Sequence, residues 1–185
     1  MKKTILMFSL VIISVAALGQ THNSRLSVFS GAGYNQDYNK FSFNMGTEYS
    51  YYLSNRIYVL GTFYSNFKSL EAAVTVNNDT SQLNATNVPV NNLRLQLGTG
   101  VDFLRPNKYN RLYLQGQAGL GYVFGSTRLP VIGRVSYKGS MIAVGGSFGY
   151  DRKFNNQWTL GGAYTIDYNL VHINHGLIIK ASYSF

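Results

Sequence analysis

The chain has no cysteine. A disulfide framework and a thiolate metal site are both excluded, so the fold must rest on hydrogen bonds and packing. Proline is scarce, 3 residues in 185. Long stretches can therefore join a sheet ladder without a missing N–H. Acidic residues number 7 against 16 Lys and Arg, a formal charge of +9. A basic surface can mark nucleic-acid binding. Here the cations are scattered over turns and loops and form no stripe. Anionic lipid headgroups fit them better than nucleic acid does. Long apolar runs are absent beyond the N-terminus, which leaves no candidate for a spanning helix of about 20 residues.

The N-terminus carries Lys2 and Lys3, then an apolar stretch from Ile5 to Leu18. Ala17 and Gly19 are small residues where a signal peptidase requires them. The pattern predicts a signal peptide over residues 1–19, cleaved before Gln20. Residues 20–185 then form a single domain. Without Lys2 and Lys3 it holds 14 basic against 7 acidic residues.

What is abundant is aromatic residues and glycine: 15 Tyr, 11 Phe and 19 Gly. They fall into eight alternating stretches, approximately 25–35, 41–53, 56–67, 92–104, 111–124, 141–152, 158–170 and 173–185. The clearest sets Leu93, Leu95, Leu97, Thr99, Val101 and Phe103 against Arg94, Gln96, Gly98, Gly100 and Asp102. A helix would mix these Leu residues with Arg94, so a period of 2 describes the stretch better. The third stretch is ambiguous, with apolar residues on both faces. The stretches exceed the usual soluble strand of about 5–6 residues and suit tilted membrane strands of about 9–11 with margins.

These features predict an all-β fold, an eight-stranded antiparallel up-and-down transmembrane β-barrel. Connections near Ser54-Asn55, Pro106-Asn107-Lys108 and Asn155-Asn156 read as short turns. Those from Ser69 to Asn91 and from Gly125 to Gly139 read as longer loops. Short turns belong to the periplasmic side of such barrels. The expected location is the bacterial outer membrane, with both termini periplasmic.

A lipid-facing Arg or Lys at the midplane costs roughly 2–4 kcal/mol, so charges within strands should point inward. Glu48, Arg94, Asp102, Asp151, Asp167 and Lys180 all fall on the small-polar face. We expect them to form an interior charge network. Depth along the strands pairs Glu48 with Lys180 and Arg94 with Asp167. It gathers Asp102, Asp151, Arg111 and Arg25 near the periplasmic mouth. An eight-stranded barrel is just wide enough to be filled by side chains, which favours a structural interior over a narrow ion path.

Candidate catalytic groups are sparse. His172 and His175 are placed by this reading in the last outer loop, within reach of Asp79, Thr80 and Ser81 of the long loop. A Ser, a His and an Asp there would have the elements of an esterase triad, but a triad needs fixed geometry that such a loop does not supply. His22-Asn23-Ser24 has the His-x-Ser spacing of lipid A deacylases but sits at the wrong end of the barrel. Two imidazoles without a carboxylate do not make a metal site. Gly98-Thr99-Gly100 and Gly119-Leu120-Gly121 precede no helix and are strand glycines rather than phosphate loops. The acceptor patterns at Asn78 and Asn84 read as chance matches. No catalytic, cofactor-binding or metal residue is assigned.

The chain resembles the small outer-membrane β-barrel family, the OmpA/OmpX-like or porin-family barrels. The residues that carry the resemblance are the signal, Arg25-Leu26-Ser27-Val28-Phe29-Ser30-Gly31-Ala32-Gly33-Tyr34, Leu97-Gly98-Thr99-Gly100-Val101-Asp102-Phe103 and the terminal Tyr183-Ser184-Phe185. The resemblance implies lipid as a partner, and assembly by the barrel-insertion machinery reading the last strand. No peptidoglycan-binding domain follows the barrel, which argues against a cell-wall tether. The expected function is non-enzymatic, with outer loops serving surface contacts or envelope integrity and the surface ligand unknown. A lipid-modifying enzyme and a narrow channel remain as alternatives.

Overall fold

The computed structural model describes residues 24–36, 39–72, 86–107, 109–129, 133–169 and 172–185. The predicted signal, residues 1–19, lies outside them. Eight strands follow in order: β1 (Ser24–Asn35), β2 (Lys40–Tyr52), β3 (Ile57–Ala72), β4 (Thr86–Asn107), β5 (Asn110–Leu129), β6 (Gly133–Lys153), β7 (Trp158–Asn169) and β8 (His172–Ser184). Each pairs antiparallel with its successor, and β8 closes on β1 through Arg25↔Ser184 to Asn35↔Asn174. The result is a closed up-and-down barrel, which leaves no sheet edge around its girth.

Alternation decides which residues face in. On β4, Arg94, Gln96 and Asp102 are buried while Leu95, Leu97 and Phe103 are exposed. Leu97 is 72% exposed and Leu177 68%, whereas Arg94 is 2% exposed. The distribution is the reverse of that in a soluble protein: oily side chains outside, polar ones inside. It requires a solvent of acyl chains around the barrel. β3, ambiguous in sequence, resolves with Tyr58, Leu60, Thr62, Tyr64 and Asn66 inside and Val59 and Phe67 outside. Its inward aromatics explain the confusion, because they fill the lumen rather than the lipid face.

Inward glycines make room for those rings. A Cβ on Gly100 would strike the ring of Tyr58, and one on Gly149 the ring of Tyr113. Phe29 packs on Tyr64 with ring centroids 5.9 Å apart, over Gly46. A bulky side chain therefore faces a bare backbone on the neighbouring strand, and the narrow lumen fills without clash.

At the end where β1 starts and β8 finishes (the terminal end), two turns are tight. Ser54 Oγ accepts from the N–H groups of Arg56 and Ile57 at 3.3 and 3.1 Å. Asn155 Oδ1 accepts from those of Gln157 and Trp158 at 2.8 and 2.7 Å. Such side chains stand in for backbone partners where the chain reverses. At the opposite, far end Asn39 takes a positive φ of 50° and accepts a 2.6 Å hydrogen bond from Tyr34. Asparagine tolerates that left-handed geometry better than most residues.

The far end differs from the expected pattern of loops. The stretch read as a loop from Gly125 to Gly139 is mostly strand, since β5 and β6 pair as far as Leu129↔Gly133. Likewise β3 and β4 pair out to Ala72↔Thr86, well inside the loop expected from Ser69 to Asn91. β-Ladder pairing overrode the turn-like composition of Gly125, Ser126 and Arg128. The asymmetry between the two ends lies in strand length more than in loop length. β4, β5 and β6 have 22, 20 and 21 residues, against 12, 12 and 13 for β1, β7 and β8.

Candidate functional site

The interior holds the concentrated chemistry of the molecule. Toward the terminal end, Glu48 of β2 is the hub. Its carboxylate accepts from Gln115 Nε2 at 2.9 Å, Ser50 Oγ at 3.1 Å and Lys180 Nζ at 3.4 Å, with Arg25 Nη2 at 3.6 Å. Arg25 also donates to Asp151 Oδ2 at 2.9 Å. Arg111 bridges two acids: it donates through Nη1 to Asp102 at 3.0 Å and through Nε to Asp151 at 2.9 Å. A further Arg111 nitrogen meets Asp151, and Arg111 reaches the Tyr52 hydroxyl. Tyr113 lies beneath this cluster, its ring 4.2 Å from Lys180 Nζ and 4.9 Å from the Arg111 guanidinium. Tyr58 donates to Gln115 Oε1 at 3.2 Å, tying the aromatic layer to the charges.

Nearer the far end, Arg94 Nη1 approaches Asp167 Oδ1 at 3.5 Å. The Arg94 guanidinium lies 5.0 Å above the Tyr64 ring. Around it sit amides that bond one another, Asn66 to Asn44 at 2.5 Å and Asn35 to Asn174 at 2.6 Å.

The structure therefore places Glu48, Arg94, Asp102, Asp151, Asp167 and Lys180 all on the barrel lining. It brings Glu48 to Lys180 and Arg94 to Asp167. Sequence depth treated Glu48–Lys180 as separate from the mouth cluster. In the structure Arg25 joins the two, because it contacts both Glu48 and Asp151. The lining thus carries four acids, Glu48, Asp102, Asp151 and Asp167, beside four cations, Arg25, Arg94, Arg111 and Lys180. In a low-dielectric interior a balanced set avoids the large cost of an unpaired charge. The aromatic contribution, Tyr58, Tyr64 and Tyr113, was not assigned from sequence. The signal for it was present: each lies at an inward position of its strand, and glycines of the neighbouring strands face Tyr58 and Tyr113.

At the terminal end the barrel opens into a cavity of about 670 Å³. Its walls include Tyr52, Lys153 and Thr159, and Arg25, Arg111 and Asp151 reach it from the charge cluster.

Of the catalytic candidates, the described strands hold the two histidines and Ser24. His175 is not in a loop but within β8, opposite Tyr34 and Ile166 on the outward face. Its Nδ1 shares a 2.6 Å hydrogen bond with the Tyr164 hydroxyl, and the two rings stack. The β8 ladder continues through His172, which moves both histidines out of the expected loop. Asp79, Thr80 and Ser81 lie outside the described residues, as do His22, Asn23, Asn78 and Asn84. Ser24 begins β1, and its hydroxyl is 2.9 Å from that of Tyr49. Among the described residues no group of three His, Asp or Glu side chains is arranged to hold a metal ion.

Solved structures of similar shape include small outer-membrane barrels of bacteria. Neisserial surface protein A superposes with a TM-score of 0.62 at 10% identity, covering 89% of this chain and 98% of that one. The chain has the fold of the small outer-membrane β-barrels. The attachment invasion locus protein Ail of Yersinia pestis gives 0.55 at 15% identity, over 89% of this chain and 100% of its own. OprG of Pseudomonas aeruginosa gives 0.56 at 10% identity, over 90% and 98%. No family model and no curated protein matches the sequence. The agreement is thus one of architecture, reached by sequences that share little beyond alternation.

Proposed function

We propose that this is a non-enzymatic outer-membrane barrel, closed to solutes, that presents its projecting β3–β6 sheet as a contact surface outside the cell. The termini face the periplasm, residues 1–19 direct export, and lipid and the barrel-insertion machinery are its partners. The observation that carries this reading is the inverted barrel itself: an oily belt around a lining whose charges neutralise one another and whose gaps are filled by Tyr58, Tyr113 and Phe29.

The contact surface is argued from geometry. β5 and β6 outrun β7 by eight or nine residues. At about 3.3 Å per residue that is a projection of roughly 25 Å along the strands. β6 pairs with β7 only from Val144 onward, so from Gly133 to Ala143 its other edge has no β7 partner. A free edge offers backbone donors and acceptors to an added strand or an extended ligand. Ail, one of the similar folds, is an attachment protein by name.

The test is a liposome-swelling assay with the refolded protein, run beside its mobility on unboiled and boiled gels. The expected result is a heat-modifiable band and no swelling with small sugars. Swelling would show an open lumen, and a single unshifted band would show no membrane barrel at all. The contact role is tested by replacing residues 126–136 with a two-residue turn. Cells displaying the original protein should adhere to a surface coated with sulfated polysaccharide, the ligand class of which a heparin analogue was solved with Ail, and cells with the shortened hairpin should not. Equal adhesion by both would remove the projecting sheet as that surface.

A further inference from the structure

The charge left over by the interior network is distributed unevenly between the barrel ends. Four of the seven acids are consumed in the lining; by sequence the others are Asp37 between β1 and β2, Glu71 in β3 and Asp79 between β3 and β4. The turns of the terminal end contain no acid. The cations at this end are Arg56 in the β2–β3 turn, Arg105 near the end of strand β4, and Arg152 and Lys153 in the last two residues of strand β6. Arg56 and Arg152 are exposed. Neither is in an ion pair among the described residues.

Arg152 occupies an outward position. Its ladder neighbours are Asn110 on β5 and Leu160 on β7, and Leu160 and Tyr150 are both exposed on the lipid face. The turn that follows puts Phe154 at 63% exposure, and the β2–β3 turn puts Leu53 at 62%. At two places on this end an exposed oily side chain thus stands in sequence beside a cation that has no ion pair among the described residues: Leu53 near Arg56, and Phe154 near Arg152. Tyr51, Tyr109 and Trp158 lie between or beside them, also exposed. An oily tip held below a ring of aromatics and beside a guanidinium is suited to the boundary where acyl chains meet headgroups.

We infer that the terminal-end rim, through Arg56 on one side of the barrel and Arg152 on the opposite side, docks anionic phospholipid headgroups, selecting phosphatidylglycerol-type lipids over zwitterionic ones. This rests on the membrane-barrel reading above. Guanidinium groups bind phosphate through paired N–H donors and remain charged at any physiological pH. Leu53 and Phe154 supply the apolar contact with the first carbons of the lipid chains. The absence of acid from these turns removes the repulsion that anionic headgroups would otherwise meet. Each such cation near an anionic surface is worth roughly a five-fold preference.

The test uses the protein reconstituted in vesicles containing equal fractions of photoactivatable phosphatidylglycerol and phosphatidylcholine, with crosslinks mapped by peptide. Phosphatidylglycerol should label the 51–57 and 150–158 peptides several-fold more than phosphatidylcholine. The Arg56→Gln/Arg152→Gln variant should lose that excess. Lys138→Gln, an exposed cation near the far end, should keep it. Equal labelling of the two turns by both lipids, or an excess that survives the double substitution, overturns the inference. The oily belt serves as the internal control: labelling around Leu95 and Leu97 by both lipids shows that the barrel inserted. No labelling there would instead overturn the membrane reading, and this proposal with it.

Discussion

Arg94 and Asp167 meet at 3.5 Å from β4 and β7, strands that are not neighbours in the sheet. The contact crosses the lumen, so it ties opposite walls together rather than adjacent rungs. Both side chains are sealed from solvent. Removing one member leaves the other charged with no partner, which typically costs 3–5 kcal/mol. Asp167→Asn should lower the unfolding free energy of the barrel in urea by about that amount. The Arg94→Met/Asp167→Leu pair should recover most of it. A single variant as stable as the original would mean that water, not Asp167, solvates Arg94.

Glu48 predicts a graded series. It answers both Lys180 and Arg25 and accepts from Gln115 and Ser50. Glu48→Gln therefore strands Lys180, takes from Arg25 one of its two acids, and should destabilise more than Asp167→Asn. Lys180→Met should lower the detergent unfolding midpoint less, because Arg25 still neutralises Glu48. The ranking is read from urea titrations under one set of conditions. An unchanged midpoint in Lys180→Met would remove Lys180 from the network.

The glycines opposite the buried tyrosines supply a packing test. Gly149 lies under the Tyr113 ring, where a Cβ has no space. Gly149→Val should cost about 1–3 kcal/mol through overpacking. Combining it with Tyr113→Leu should cost less than the two changes added separately, since the smaller side chain vacates the space. Strict additivity would show that the ring and the glycine do not constrain each other.

Much of this was legible in the sequence, and the reason is geometric. On β4 the run from Leu93 to Phe103 alternates so strictly that its facing follows from parity alone. Charges such as Arg94 and Asp102 then had one side of the wall open to them. Parity does not reveal what fills a lumen, and Tyr58 and Tyr64 made β3 read as oily on both faces. Nor does composition reveal where a strand stops once its neighbour continues. Gly125, Ser126 and Arg128 resemble loop residues, yet the β5–β6 ladder carries them outward as strand. His175 was misplaced for the same reason: the β8 ladder includes it, and Tyr164 fixes its ring on the outer face. The Arg25 link between Glu48 and Asp151 depends on how depth shifts around a tilted wall, which a depth count along single strands does not capture.

The oily belt itself gives the last prediction, because two leucines of similar exposure sit at different heights. Leu97 is 72% exposed in the middle of β4, and Leu53 is 62% exposed at the terminal-end turn. In water the two substitutions Leu97→Arg and Leu53→Arg would differ little. In a bilayer the cost of arginine depends on depth, roughly 2–4 kcal/mol at the midplane and about 0–1 near the interface. Unfolding measured in lipid vesicles should therefore separate the variants by roughly 1–4 kcal/mol, with Leu97→Arg the weaker. Equal stabilities would mean that residue 97 meets water, and that the outward face of β4 is not immersed in lipid.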